Sequence, residues 1–241
     1  MCPGNSKFQL TARSIQKVLP LILAFLGGVL LAVDPVSTAS AADIYLTGAS
    51  EVDQSVLVPP FQASIAVTDS QGWGQTFTVG LPGLLTRIDL QLGRNADTSL
   101  PLQVEICRTS GGLPDMSPQA LLYSTSIAAS AVPVQTWSDS FSVSVDLSSA
   151  LIQVTPGDQL AVLLTTADGN WYNWTTHYWP DDIYPAGTAV KLAYPSAPNW
   201  IQVTGYDSGF QTWVTAVPES STLLPLAFLI LAAHHRFRRK I

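Results

Sequence analysis

Cysteine is almost absent from the 241-residue chain: there are two, Cys2 and Cys107. Basic residues are few as well, and seven of the eleven lie at the two ends. Between residues 43 and 217 there are four, Arg87, Arg94, Arg108 and Lys191. A phosphate backbone demands a Lys/Arg surface, so this acidic body excludes nucleic acid as a partner. Histidine is scarce too; outside the C-terminal tail there is His177 alone. That scarcity removes the His/Cys clusters of zinc chemistry. A Ser-His-Asp arrangement would have to use His177, and no G-x-S-x-G elbow accompanies it. Amphipathic helical patterns of ten residues or more are also missing, which excludes a helical or α/β body.

The N-terminal end is present in a different sense. Lys7, Arg13 and Lys17 precede an apolar run, Val18 to Val33, and Ala39-Ser40-Ala41 follows. Positive region, apolar region and small-x-small site together read as a secretory signal peptide over residues 1–41. The run is short for a membrane span of about 20 residues, so cleavage after Ala41 is expected. Cys2 would leave with it, and Cys107, then alone, has no internal disulfide partner. Its expected role is that of a small apolar side chain in a sheet.

The body, residues 43–216, is written in period two. In "LTRIDLQL", Leu85, Ile88, Leu90 and Leu92 are apolar while Arg87, Asp89 and Gln91 face away. "PLQVEIC" sets Leu102, Val104 and Ile106 against Gln103 and Glu105. "FSVSVDL" sets Phe141, Val143, Val145 and Leu147 against Ser142, Ser144 and Asp146. Such alternation means strands with one face on a core and one in water. "GQTFTV" and "QLAVLLT" are further strands. Turns punctuate them at Leu81-Pro82-Gly83, Ser110 to Asp115, Thr155 to Asp158 and Asp168-Gly169-Asn170. Many short strands with regular turns predict an all-β fold, a β-sandwich or jelly roll. The Pro/Ser-rich piece at 195–198 reads as a loop.

The C-terminal end, "VPESSTLLPLAFLILAAHHRFRRKI", joins a polar motif to an apolar run, Leu223 to Ala233, and a basic cluster. Positive charge after an apolar segment holds the segment in the inner membrane. With Val217, Pro218, Glu219, Ser221, Thr222 and Leu223, and with Arg236, Arg238, Arg239 and Lys240 at the end, this tail resembles the PEP-CTERM sorting signal of exported bacterial proteins. The resemblance covers about a tenth of the chain. It implies a C-terminal hydrophobic helix over 217–241, transient residence in the inner membrane, an exosortase-like sorting enzyme as partner, and a surface rich in exopolysaccharide. Two features depart from the pattern. Ser220 stands where the motif has a second proline, and eleven apolar residues make roughly 16 Å of helix. The bilayer core is about 30 Å thick. A looser similarity runs over residues 71–214, through Gln75-Thr76-Phe77-Thr78, Thr109 to Pro114, Tyr184 to Ala189, Trp200 and Phe210 to Val214. These resemble exported β-sandwich domains and imply a galactose-binding-like jelly roll; they imply no reaction.

"GNWYNWTTHYWP", residues 169–180, holds five Trp or Tyr in twelve positions. Asp168-Gly169 is a hairpin signal between "QLAVLLTT" and this run. On a strand, Tyr172, Trp174, Thr176 and Tyr178 share one face, expected in the core. Trp171, Asn173, Thr175, His177 and Trp179 share the other. Sugar rings stack on Trp while amides bond their hydroxyls, so Trp171, Asn173, His177 and Trp179 are the candidate ligand-binding residues. Trp171 and Trp179 would lie roughly 26 Å apart on a straight strand, too far for one monosaccharide. No resident cofactor is expected, although Asp168, Asp181 and Asp182 supply the oxygen donors that a structural calcium needs. Glycan hydrolysis requires two carboxylates about 5 to 10 Å apart, and adjacent acids such as Asp181-Asp182 point to opposite faces of a strand. The expectation is an exported, surface-sorted, non-catalytic β-sandwich protein of the extracellular polysaccharide matrix, in contact with glycan. A glycan hydrolase or lyase on the same scaffold is the alternative.

Overall fold

The computed structural model describes residues 49–59, 63–135, 142–167, 169–178, 180–193 and 199–217, all within one unit, Ser40–Ile241. In chain order the strands are β1 (Ser50–Val56), β2 (Ala63–Val67), β3 (Trp73–Thr78), β4 (Gly83–Arg94), β5 (Leu102–Ser110), β6 (Leu113–Pro114), β7 (Leu121–Ile127) and β8 (Ser142–Asp146). They continue as β9 (Ile152–Val154), β10 (Gln159–Thr165), β11 (Tyr172–Tyr178), β12 (Ala189–Ala193), β13 (Asn199–Val203), β14 (Tyr206–Ser208) and β15 (Phe210–Thr215). Two short 3-10 turns, Ala129–Ala131 and Ser148–Ala150, are the helical elements among the described residues. None of them is long and apolar enough to cross a membrane. The expected signal peptide, the Pro/Ser-rich piece at 195–198 and the sorting residues from Pro218 to Arg239 lie outside the described residues.

The strands form two antiparallel sheets, so the all-β, sandwich-like class expected from the period-two pattern is what the chain adopts. One sheet runs β1-β15-β4-β11-β14, with β2 on β11 and β8 and β9 on β4. The other runs β13-β12-β3-β10-β5-β6, with β7 on β5. The core lies where the inner faces meet. Ile88, Leu90, Leu92, Trp174 and Phe210 come from the first sheet, and Phe77, Val104, Ile106, Leu160 and Val162 from the second; all are buried. Phe77 and Phe210 meet across the gap with ring centroids 5.8 Å apart. Each such side chain contributes about 1.5–3 kcal/mol by leaving water.

Three details depart from simple alternation. Leu85 and Ile88 are both fully buried, although three residues apart they would point to opposite faces of a regular strand. A bulge resolves this: Val214 of β15 pairs with Leu85 and Trp213 with Arg87, so Thr86 is the extra residue. Next, β10 is buried on both faces. Its outer side, Ala161 and Leu163, packs with Cys107, Val190, Leu192 and Trp200 in a second apolar cluster. The unbroken run "LAVLL" is the sequence counterpart of that double burial. Cys107 is accordingly a free, buried thiol, and burial, reinforced by Glu105 and Asp115, pushes it up to about 12.

The third departure corrects the hairpin expected at Asp168-Gly169. A hairpin would pair β10 with β11. Instead β10 pairs with β3 and β5 in one sheet, and β11 with β2, β4 and β14 in the other. The turn is a corner between sheets. Gly169 supplies a φ of 75° there. Asn170 fixes the corner, its Oδ1 accepting from the main-chain N–H of Ser99 (3.0 Å) and Leu100 (2.9 Å).

A buried polar link also joins the sheets. Gln75 of β3 is fully buried, and its Oε1 accepts from the N–H of Ser208 in β14 at 2.9 Å. Gln75→Leu would leave that N–H unpaired in the interior. We expect a loss of about 1–3 kcal/mol in urea unfolding; an unchanged midpoint would show that the link carries no stability.

Candidate functional site

Strand β11 is the middle of the site. Its first half pairs with β4, setting Tyr172 against Arg94, Asn173 against Gly93 and Trp174 against Leu92. Its second half pairs with β14, setting Thr176 against Ser208, His177 against Asp207 and Tyr178 against Tyr206. Along its other edge lies β2. Tyr172, Trp174 and Thr176 have no exposed surface, as expected for the inner face. Trp174 Nε1 donates to Gly209 O at 2.9 Å, and the Tyr172 hydroxyl donates to Leu100 O. Tyr178 does not follow them. It reaches past the core edge, is 50% exposed, and stacks on Tyr206 at 6.0 Å. Tyr206 in turn stacks on the buried Trp73 at 6.2 Å.

The outer face divides into two places. At one end Trp171 is 47% exposed, and its Nε1 donates to Asn173 Oδ1 at 3.0 Å. Its backbone is pinned: Asn95 N–H and Thr98 Oγ1 donate to Trp171 O at 3.0 and 2.8 Å. Gln135, which the sequence did not point to, joins this end. Its N–H donates to Arg94 O, and its side chain lies over Gly93, the cross-strand neighbour of Asn173. A Cβ at Gly93 would fall 2.6 Å from Gln135 Cβ, so glycine makes room for the amide. Indole and two amides thus share one patch of fixed backbone.

His177 is elsewhere. Four residues along a strand from Asn173 is about 13 Å, and the packing at that end is different. His177 sits opposite Asp207, and its Nε2 is buried with no hydrogen-bond partner among the described residues. Asp207 is 2% exposed. The loop after β11 closes over it: Ile183 and Tyr184 N–H both donate to Asp207 Oδ2, at 3.1 and 3.2 Å. Asp182 Oδ1 also accepts from Tyr184 N–H. Burial, then the charge of Asp182, pushes the Asp207 carboxyl up to about 6, while the two amides and His177 pull it back down. The four expected site residues therefore do not converge. Trp171 and Asn173 are together, His177 belongs to the Asp207 end, and Trp179 lies outside the described residues. So does Asp168, one of the three acids of the expected calcium site. Among the described residues no group of three or more His, Cys, Asp or Glu side chains is placed to hold a metal ion.

Two cavities open elsewhere on the sandwich. The larger, about 630 Å³, has Arg94, Thr98, Ser99, Ser126 and Ser130 in its wall. A smaller one, about 220 Å³, lies beside Arg87, which stacks over the Trp213 ring at 3.8 Å and pairs with Asp89 at 3.1 Å. Neither is lined by Asp182, Asp207 or His177.

No protein-family model matches the chain, and no curated protein matches it. Among solved structures it is similar to a chain from the structure of infectious bursal disease virus, Gx strain, at 13% identity and a TM-score of 0.25. That similarity covers 78% of this chain, which spans about half (49%) of the viral one.

The Asp207 environment has a measurable consequence. The group titrates at 3.8 when unperturbed and at about 6 in the fold. Between these values the folded chain holds a proton that the unfolded chain has lost. Stability contributed by Asp207 is then present below about pH 4 and falls away as pH rises to about 6, with no further change above. Asp207→Asn keeps an acceptor for the two amides without the charge. The difference in unfolding free energy between variant and parent should grow in the variant's favour across that window. A difference that is flat with pH would show that the carboxyl is not perturbed.

Proposed function

We propose that the chain is an exported, surface-sorted β-sandwich protein, non-catalytic, that works in or under an extracellular polysaccharide layer and touches glycan through Trp171. In this reading the two sheets form a galactose-binding-like jelly roll. An exosortase-like enzyme takes Val217, Pro218 and Glu219 as its recognition motif, and the apolar segment with Arg236, Arg238 and Arg239 holds the chain in the inner membrane until then. The observation that carries the glycan contact is the Trp171 patch. A large aromatic face stands nearly half exposed, its N–H satisfied by Asn173, on backbone held by Asn95 and Thr98. A pinned indole loses little freedom when a sugar stacks on it, and neighbouring amides bond hydroxyls. Support for a non-catalytic role comes from Asp207. The carboxyl lifted to about 6 is the kind that serves as a general acid, yet here it is buried under a loop and occupied with two amides.

Both halves of the proposal are testable. The full chain, solubilised in detergent, is titrated with a panel of polysaccharides while tryptophan fluorescence is followed. We expect saturable quenching that Trp171→Ala abolishes and Asn173→Ala weakens by about tenfold. No response to any polymer would refute glycan contact. For sorting, cells expressing the chain without residues 217–241 should release it into the medium, while the intact chain stays at the envelope. Identical partitioning of both would refute the sorting role.

A further inference from the structure

Arg94 is a conspicuous charge that no described carboxylate neutralises. It ends β4 on the same side of the sheet as Tyr172, its cross-strand neighbour, and is half-buried. Its Nε donates to Val132 O at 2.9 Å. Its Nη1 donates to the carbonyls of Asn95 (3.2 Å), Ala96 (3.1 Å) and Thr98 (3.4 Å). Carbonyls fix a guanidinium in place without cancelling its charge. Among the described residues no carboxylate pairs with it; the ion pair there is Arg87–Asp89. Arg94 carries a further nitrogen, Nη2, whose two N–H groups have no acceptor among the described residues. Arg94 lines the cavity of about 630 Å³, and among the described residues no other charged residue does. Ser99, Ser126 and Ser130 share the wall with small apolar residues and with Thr98, whose hydroxyl is committed to Trp171.

We infer that this cavity receives the carboxylate of an acidic sugar, with Arg94 as its counter-ion and the surrounding hydroxyls bonding the ring. An immobile guanidinium with free donors suits a carboxylate, whose bonds to it are charge-assisted and directional. In a chain of net charge −6 the cavity is a local exception, which favours an anionic group there over a neutral one. The cavity is also joined to the aromatic patch. Thr98, in its wall, donates to Trp171 O and accepts from Trp171 N–H at 3.1 Å. Loop 95–100 thus carries one side of the cavity and anchors the indole. The inference rests on the glycan reading above and narrows it to uronate-containing polymers.

The test uses the full chain in detergent and two probes of equal length, oligogalacturonate and its methyl ester. Binding of the acid form should be about tenfold tighter, the worth of one charge-assisted contact. Replacing Arg94 itself would also release loop 95–98, so the decisive variants are on the far wall. Ser126 is exposed on β7 and lines the cavity. Ser126→Glu should erase the preference for the acid form, while Ser126→Gln, of the same size, should keep it. Inorganic sulfate should compete no better than chloride at equal ionic strength. Equal binding of both probes, a preference that survives Ser126→Glu, or displacement by sulfate alone would overturn the inference and leave the Trp171 contact standing. No binding of either probe would overturn this inference too, while the glycan reading falls only if no polymer of the panel binds.

Discussion

The burial of Trp174 is the constraint on which the rest of the first sheet depends. It is the largest fully buried side chain, and its N–H must find an acceptor inside the protein. Gly209 O is that acceptor. Gly209 also donates to Thr175 O and accepts from Gln91 N–H, so it sits at the point where β11 leaves β4 and takes up β14. A Cβ at 209 would fall 1.8 Å from Gln91 Oε1, so a larger residue would push that amide off Val58. One indole therefore sets the register of three strands. With that register fixed, Trp171 and Asn173 emerge on one side and Arg94 faces the other. The two halves of the proposed glycan contact are thus placed by an interaction that belongs to neither.

Much of this was legible in the sequence, because burial on a strand is a period-two property. Leu102, Val104 and Ile106, and Val143, Val145 and Leu147, are buried as their alternation requires. The inner-face assignment of Tyr172, Trp174 and Thr176 holds for the same reason. What alternation could not express was partner choice. A glycine turn reports that the chain reverses or bends, not whether the next strand returns to the same sheet. Asn170 decides that at the corner, through bonds to residues 99 and 100, seventy positions away. Tyr178 departs for a related reason. Parity says which way a side chain points, while the length of the opposing sheet says whether anything is there to cover it. The bulge at Thr86 escaped alternation as well, since period two alone does not say that Leu85 and Ile88, three apart, share a face.

The site was less legible than the fold. Trp171 and Asn173 are two apart in sequence and stay together in space. Gln135 reaches the same region, and Arg94 the opposite face beside it, through long-range contacts that no local pattern announces. His177 looked like a site residue because it is rare, but rarity carries no geometry. The structure sets it against a carboxyl closed over by a loop. Few charges in the body made each one informative once placed: Arg87 has Asp89, and Arg94 has only carbonyls.

The second apolar cluster has one more consequence, and it concerns Cys107. A thiol pushed to about 12 is almost entirely protonated at neutral pH, and the thiolate is the reacting species. In the opened chain the same group would titrate near its ordinary value of 9.0. Modification at this position must therefore wait for the outer cluster to come apart. The chain carries its own clock for that event: under a reagent that captures every exposed thiol, the rate of loss of free Cys107 counts how often β10 and β12 part company.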